Sequence, residues 1–165
     1  VMKQMLLTGM LLAMTAAVSY STCANPATAA EPASARKASA QQEDRTMKIR
    51  LILDGREIMA TLAGNETARD FVSLLPLTLT LRDYAATEKI SALPRKLSTK
   101  GAPEGSDPAV GDITYYAPWG NLAIFHKDFG YSKGLIKLGQ LDSGVEALSE
   151  AGPLKVTIER VEMKR

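Results

Sequence analysis

Two seven-residue runs of alternating character meet at Asp54-Gly55. Met47 to Leu53 places Ile49, Leu51 and Leu53 on one face, and Arg56 to Leu62 returns with Ile58, Ala60 and Leu62 on one face. A period of two belongs to a half-buried strand, and Asp-Gly is a two-residue linker suited to a tight turn. The pattern predicts an antiparallel hairpin at the head of a folded domain. Its apolar face must then be covered by elements further along the chain.

The next elements can be read in order. Asn65 or Thr67 can cap a helix in which Ala68, Phe71, Val72 and Leu75 recur at helical spacing, and Pro76 stops it. Leu77 to Leu81 alternates strictly and predicts a third strand with three leucines inward. From Arg82 to Asp107 the pattern is irregular, which suggests a long loop, functional or disordered. Gly111 to Phe125 reads as a second hairpin, with Ile113 and Tyr115 on one side and Leu122 and Ile124 on one side of the return. Pro118-Trp119-Gly120-Asn121 makes its turn. After a loop over 128–133, a short strand at Leu135–Leu138 is expected to end at Gly139. Asp142 or Ser143 is expected to cap a short helix holding Val145 and Leu148. Leu154 to Val161 closes the domain, and a slip of phase near Arg160 predicts a bulge.

Composition narrows the function. Lys and Arg total 20 against 18 acidic residues, and the two nearly balance from Met47 onward, whereas nucleic-acid binding rests on clustered positive charge. No nucleic-acid partner is expected. The single Cys excludes an internal disulfide, and one Cys with one His argues against a zinc site. Neither metal nor cofactor is expected, and a monomer is.

The first residues carry a different message. Lys3 precedes an apolar run from Met5 to Val18, followed by small polar residues, which is the pattern of a secretory signal. The run is shorter than the roughly 18–20 residues of a membrane-spanning helix. Tyr20-Ser21-Thr22-Cys23 resembles the lipobox of bacterial lipoproteins, in which the Cys is acylated; the alternative is cleavage after Ala27-Thr28-Ala29. Residues 24–46 hold no aliphatic side chain larger than Ala and predict a disordered tether. The expected layout is a signal peptide over 1–23, a linker over 24–46 and a folded domain over 47–165. The protein is then exported to the periplasm or cell envelope, with a lipid anchor at Cys23 as its one membrane contact.

Two stretches of the domain carry a resemblance. Thr67-Ala68-Arg69-Asp70-Phe71 is similar to the T-A-x-N-F helix opening of cyclophilins, and Leu138 to Leu148 is similar to their F-G-x-V-x-x-G-x-x-V-(V/L) run. The middle, with Asp83-Tyr84, Glu88-Lys89-Ile90, Leu93-Pro94 and Gly111 to Phe125, resembles a bacterial cyclophilin-like family rather than a true cyclophilin. The resemblance implies a mainly β fold: a closed barrel of about eight strands with two capping helices. At that strand number side chains fill the interior, so a ligand must sit in an outer groove.

In cyclophilins such a groove accelerates rotation about X-Pro bonds, which needs an apolar floor for the proline ring and a fixed cationic donor. The resemblance makes Arg82 the candidate donor, although the Phe-His before it and the Gln segment after it in cyclophilins are missing here. Phe125 corresponds to a strand that supplies a floor phenylalanine, and Phe129 lies in a loop where cyclophilins place a groove-lining Trp. Phe125-His126-Lys127 matches the cyclophilin Phe-His-Arg in letters only, far too late in the chain.

The aromatic residues gather in one stretch: the only Trp, the only His, and Tyr115, Tyr116, Phe125 and Phe129 all fall between Gly111 and Phe129. Such concentration marks either a core hairpin or a gripping surface. The candidate binding residues are Arg82, Tyr84, Tyr116, Trp119, Phe125, His126 and Phe129. Two readings stand. One is a non-catalytic module for an unidentified peptide, protein or small molecule; the other is a weak peptidyl-prolyl isomerase using Arg82.

Overall fold

A computed structural model describes residues 47–161. The expected signal peptide, Cys23 and the linker lie outside the described residues. Strand β1 (Met47–Leu53) turns through Asp54 and Gly55, at φ 45° and 83°, into β2 (Arg56–Leu62). Positive φ at both turn residues matches the right-handed twist of the strands, and the two pair along their whole length.

Helix α1 (Glu66–Val72) is capped by Asn65, whose Oδ1 accepts from the Ala68 N–H at 2.8 Å. Glu66 in its first turn complements the positive end of the helix dipole. Ala68 and Phe71 bury against the barrel. A cis Leu75–Pro76 bond leads into β3 (Leu77–Tyr84). Then come β4 (Glu88–Ala92), β5 (Gly105–Ser106), β6 (Asp112–Tyr116), β7 (Asn121–Phe125), β8 (Ser132–Lys133), β9 (Leu135–Leu141), a 3-10 helix (Val145–Ser149) and β10 (Leu154–Arg160).

Eight strands close into an antiparallel barrel in the order β1-β10-β3-β4-β7-β6-β9-β2, and β5 pairs with β8 in a separate ribbon. The predicted mainly β barrel is therefore present. Leu51, Leu62, Leu81, Leu122, Ile124 and Leu138 are fully buried inside it, so the interior is packed. Polar groups that reach the core are paired. The Tyr115 hydroxyl accepts from the Leu97 N–H at 3.1 Å, which ties the long segment after β4 to the core. The Lys89 ammonium, fully buried, donates to the Glu150 and Gly152 carbonyls at 2.7 Å each and meets Asp83 at 2.6 Å.

Four local expectations are corrected. The stretch from Arg82 to Asp107 is not one irregular loop: β3 runs on to Tyr84, and β4 lies within it. The second capping helix is a 3-10 turn entered by Gly144, with no side-chain cap. Asp142 is instead engaged by the Thr61 hydroxyl at 2.6 Å and by Lys48 at 2.9 Å. Gly139 does not end its strand: β9 continues to Leu141, and a Cβ at Gly139 would lie 2.3 Å from the Thr61 carbonyl, so glycine permits close approach there. Finally, β10 pairs with β1 in unbroken register to Arg160; the bulge sits on the β6–β9 pairing, at Ile113/Thr114.

Candidate functional site

All five residues of β7 are buried, although only Leu122 and Ile124 join the interior core. Side chains alternate across a strand, so Asn121, Ala123 and Phe125 face outward and something outside must cover them. Ala123, Phe125 and Leu135 form a second apolar cluster there, with Ile90 and Tyr116 packed against it. The β5–β8 ribbon helps to cover this wall: the Ser106 hydroxyl donates to the Leu135 carbonyl at 3.0 Å. Beside the cluster lies a groove of about 190 Å³.

The walls of this groove are aromatic. Tyr84 and Tyr116 each meet Trp119 edge-to-face, with centroids at 5.5 Å and 5.3 Å and interplanar angles of 89° and 83°. Phe129 forms another wall, and Phe125 lies buried beneath it with ring centroids 6.2 Å apart. Trp119 is 58% exposed, Phe129 49% and Tyr84 42%. Among the described residues, three of the five large exposed hydrophobic ones thus converge on one groove, where the aqueous cost of each exposed ring would be relieved together.

Four of the candidate residues, Tyr84, Tyr116, Trp119 and Phe129, therefore line one site, with Phe125 under it. Arg82 and His126 open elsewhere. Arg82 borders a separate shallow depression with Thr80, Gly152 and Pro153. His126 borders another, with Lys127, Asp83 and Ser149. Burial, with the charges of Lys127 and Lys89, pushes its pKa below the ordinary histidine value, and neither ring nitrogen has a hydrogen-bond partner among the described residues. No group of three or more potential metal ligands occurs among the described residues.

Three polar residues of the groove, Glu88, Asn121 and Ser132, were not among the candidates, and the first two are enclosed. Glu88 pairs across β4 with Tyr84 on one side and Phe125 on the other, so its carboxyl rises between aromatic rings. Burial raises its pKa to about 7. Asn121 is only 6% exposed, and its Oδ1 has no partner among the described residues. Neither role could be read from the sequence, because each depends on the covering loop after β7. A carboxylate in a strand ordinarily signals a solvated face.

Comparison with known proteins agrees with this architecture. The family model described as "Cyclophilin-like family" matches residues 51–159. No curated protein matches the chain. Among solved structures, the chain is similar to the solution structure of the hypothetical protein AF2241 from Archaeoglobus fulgidus. The TM-score is 0.52 at 17% identity, covering 71% of this chain and 96% of that one. At that identity the likeness is one of fold. The match across the eight-stranded barrel shows that this chain belongs to the cyclophilin-like family.

Proposed function

We propose that the domain is an exported, non-catalytic binding module that takes a peptide or small ligand in the groove between Tyr84, Tyr116, Trp119 and Phe129. The observation that carries this reading is the convergence of exposed rings on one concavity outside a filled barrel. Rings held edge-to-face present large apolar area with little side-chain freedom left to lose on binding. The isomerase alternative requires a fixed cation aimed at the bound amide. Among the described residues no Lys or Arg lines the groove, and Arg82 borders a different depression.

The reading is tested by titrating short proline-containing peptides and a panel of small apolar and polar fragments, following the Trp119 indole resonance, beside a protease-coupled assay of X-Pro rotation. Saturable shifts at Tyr84, Tyr116, Trp119 and Phe129 without acceleration are expected. Acceleration that disappears in Arg82→Ala would replace the binding module with the isomerase. Export belongs to the same proposal and rests on the apolar run after Lys3 and on Cys23. Growth with a tagged fatty acid should label the wild-type chain and not Cys23→Ser; an unlabelled wild type leaves cleavage after Ala29.

A further inference from the structure

We propose that the ligand of this groove is a primary ammonium on an aliphatic stem, seated among Tyr84, Tyr116 and Trp119 with its N–H groups on Glu88 and Asn121. The inference rests on the binding reading above and names the chemistry of its ligand.

Three observations converge. The first is charge: of the ten residues around the groove Glu88 alone is acidic, and none is Lys, Arg or His. A carboxylate or phosphate ligand would meet repulsion there and find no counter-charge. The second is hydrogen bonding. Among the described residues, buried Asn121 Oδ1 has no donor, and half-buried Glu88 keeps its carboxyl open to the groove. A buried acceptor is ordinarily satisfied, so a ligand that reaches Asn121 gains by bringing a donor, and the open Glu88 carboxyl can accept from the same head group. The third is the wall of three rings, whose π faces attract cations most strongly where water is excluded.

A neutral apolar ligand would meet the rings and make no use of either acceptor. An alkylammonium uses all three features. The stem lies along Ile90 and Leu135, both in the groove lining, and the head reaches the acceptors. The volume of about 190 Å³ suits one side-chain-sized group rather than a drug-sized molecule, whose sites run to roughly 300–1,000 Å³.

The site also carries its own pH signature. Glu88 faces Tyr84 from β3, Phe125 from β7, and the rings of Tyr116, Trp119 and Phe129 across the groove. The nearest charges are occupied or elsewhere: Asp83 and Lys89 hold each other, and His126 and Lys127 border another depression. With its pKa raised to about 7 by burial, Glu88 ionises across neutral pH. A cation therefore binds more tightly as pH rises from about 6 to about 8, and its binding releases the Glu88 proton where the free site is still protonated, at about pH 7 and somewhat below.

The experiment titrates n-butylammonium and butan-1-ol, which share a stem and differ in charge, against the wild-type domain by the Trp119 indole resonance. Saturable binding of the ammonium is expected, with the alcohol about tenfold weaker or worse. Affinity should strengthen severalfold between about pH 6 and 8, and Glu88→Gln should weaken it by about tenfold while melting as a folded domain. A capped Gly-Lys-Gly peptide beside its Nε-acetyl form separates the two sources of such an amine. Tighter binding than butylammonium, lost on acetylation, marks a lysine side chain; weaker binding marks a free amine. Equal binding of alcohol and ammonium, or a pH-independent affinity, overturns the cation assignment and leaves the binding module standing. If neither probe binds, and no peptide or fragment of the panel does, the binding reading itself falls. Should Glu88→Gln fail to fold, the wild-type pH dependence alone carries the test.

Discussion

The two faces of β7 are made for different tasks. Inward, Leu122 and Ile124 join an aliphatic interior in which the polar groups that intrude, Tyr115 and Lys89, are paired. Outward, Asn121 Oδ1 is buried without a partner among the described residues, and the neighbouring half-buried Glu88 borders the same ring-lined groove. A strand's period of two lets one five-residue segment contribute to stability on one side and to recognition on the other. The cost of the second task falls where it can be relieved by a ligand. Unpaired acceptors inside the barrel could never be reached.

The sharpest way to break the comparison is to disturb the inner side. Gly139→Ala should cost about 4 kcal/mol or prevent folding, since its Cβ would lie 2.3 Å from one backbone atom and 2.6 Å from another. Chemical denaturation measures it, and a near-neutral result would mean that β2 and β9 can separate freely. Leu122→Ala should cost about 3 kcal/mol, whereas Trp119→Ala, which loses two edge-to-face contacts at a largely exposed ring, should cost only about 1 kcal/mol and yet abolish ligand binding. Equal destabilisation by the two would erase the division between faces.

A smaller effect concerns Glu88. Its folded pKa of about 7 exceeds the ordinary glutamate value of 4.5, so the folded state holds the proton more tightly than the unfolded chain. Stability contributed by the neutral form is present below pH 4.5 and is lost as pH rises through about 7. Glu88→Gln should therefore raise stability by about 1–2 kcal/mol at pH 8, a figure reduced for the solvent that still reaches the carboxyl. At about pH 4 it should leave stability unchanged, and melting temperatures at the two values read the difference. A variant no more stable at the higher pH would mean that the carboxylate is well solvated. The smallest effect is at the β3–β4 turn, where Ala85 and Ala86 take φ of 48° and 55°. Left-handed backbone costs alanine about 1–2 kcal/mol and glycine little, while glycine gains unfolded-state entropy. Ala86→Gly should gain about 0.5–1 kcal/mol in equilibrium unfolding, with no change in ligand affinity.

Much of the barrel is legible in the chain because its alternation is intact: Ile49-Leu51-Leu53, Leu77-Leu79-Leu81 and Leu122-Ile124 each declare an inward face. Strand β4 is hidden because its alternation is inverted. Lys89 points inward to the Glu150 and Gly152 carbonyls, while Ile90 points out to the groove, so a five-residue strand reads like a loop. The short second helix misleads because Asp142 has the look of a cap, but its carboxylate is taken by Thr61 and Lys48 across the barrel. At the site, the aromatic cluster between Tyr116 and Phe129 stands out on composition alone. Which polar groups accompany it is decided by burial, a property of the folded loops rather than of residue type. Arg82 shows the same limit, since adjacency to Tyr84 in sequence does not bring it into the groove.

The Asp83–Lys89 pair bears on how the groove would behave when occupied. Asp83 is held by the Lys89 ammonium and by the Gly152 N–H at 2.7 Å, and hydrogen bonding to both keeps its pKa below the usual carboxylate range. Its neighbour Tyr84 is thereby fastened to the barrel end rather than carried on a swinging flap. One wall of the recess is consequently rigid before any guest arrives, so little freedom remains to be surrendered there on association. Selectivity among guests should then follow from the fit of their head groups, and chain lengthening beyond the recess should add little.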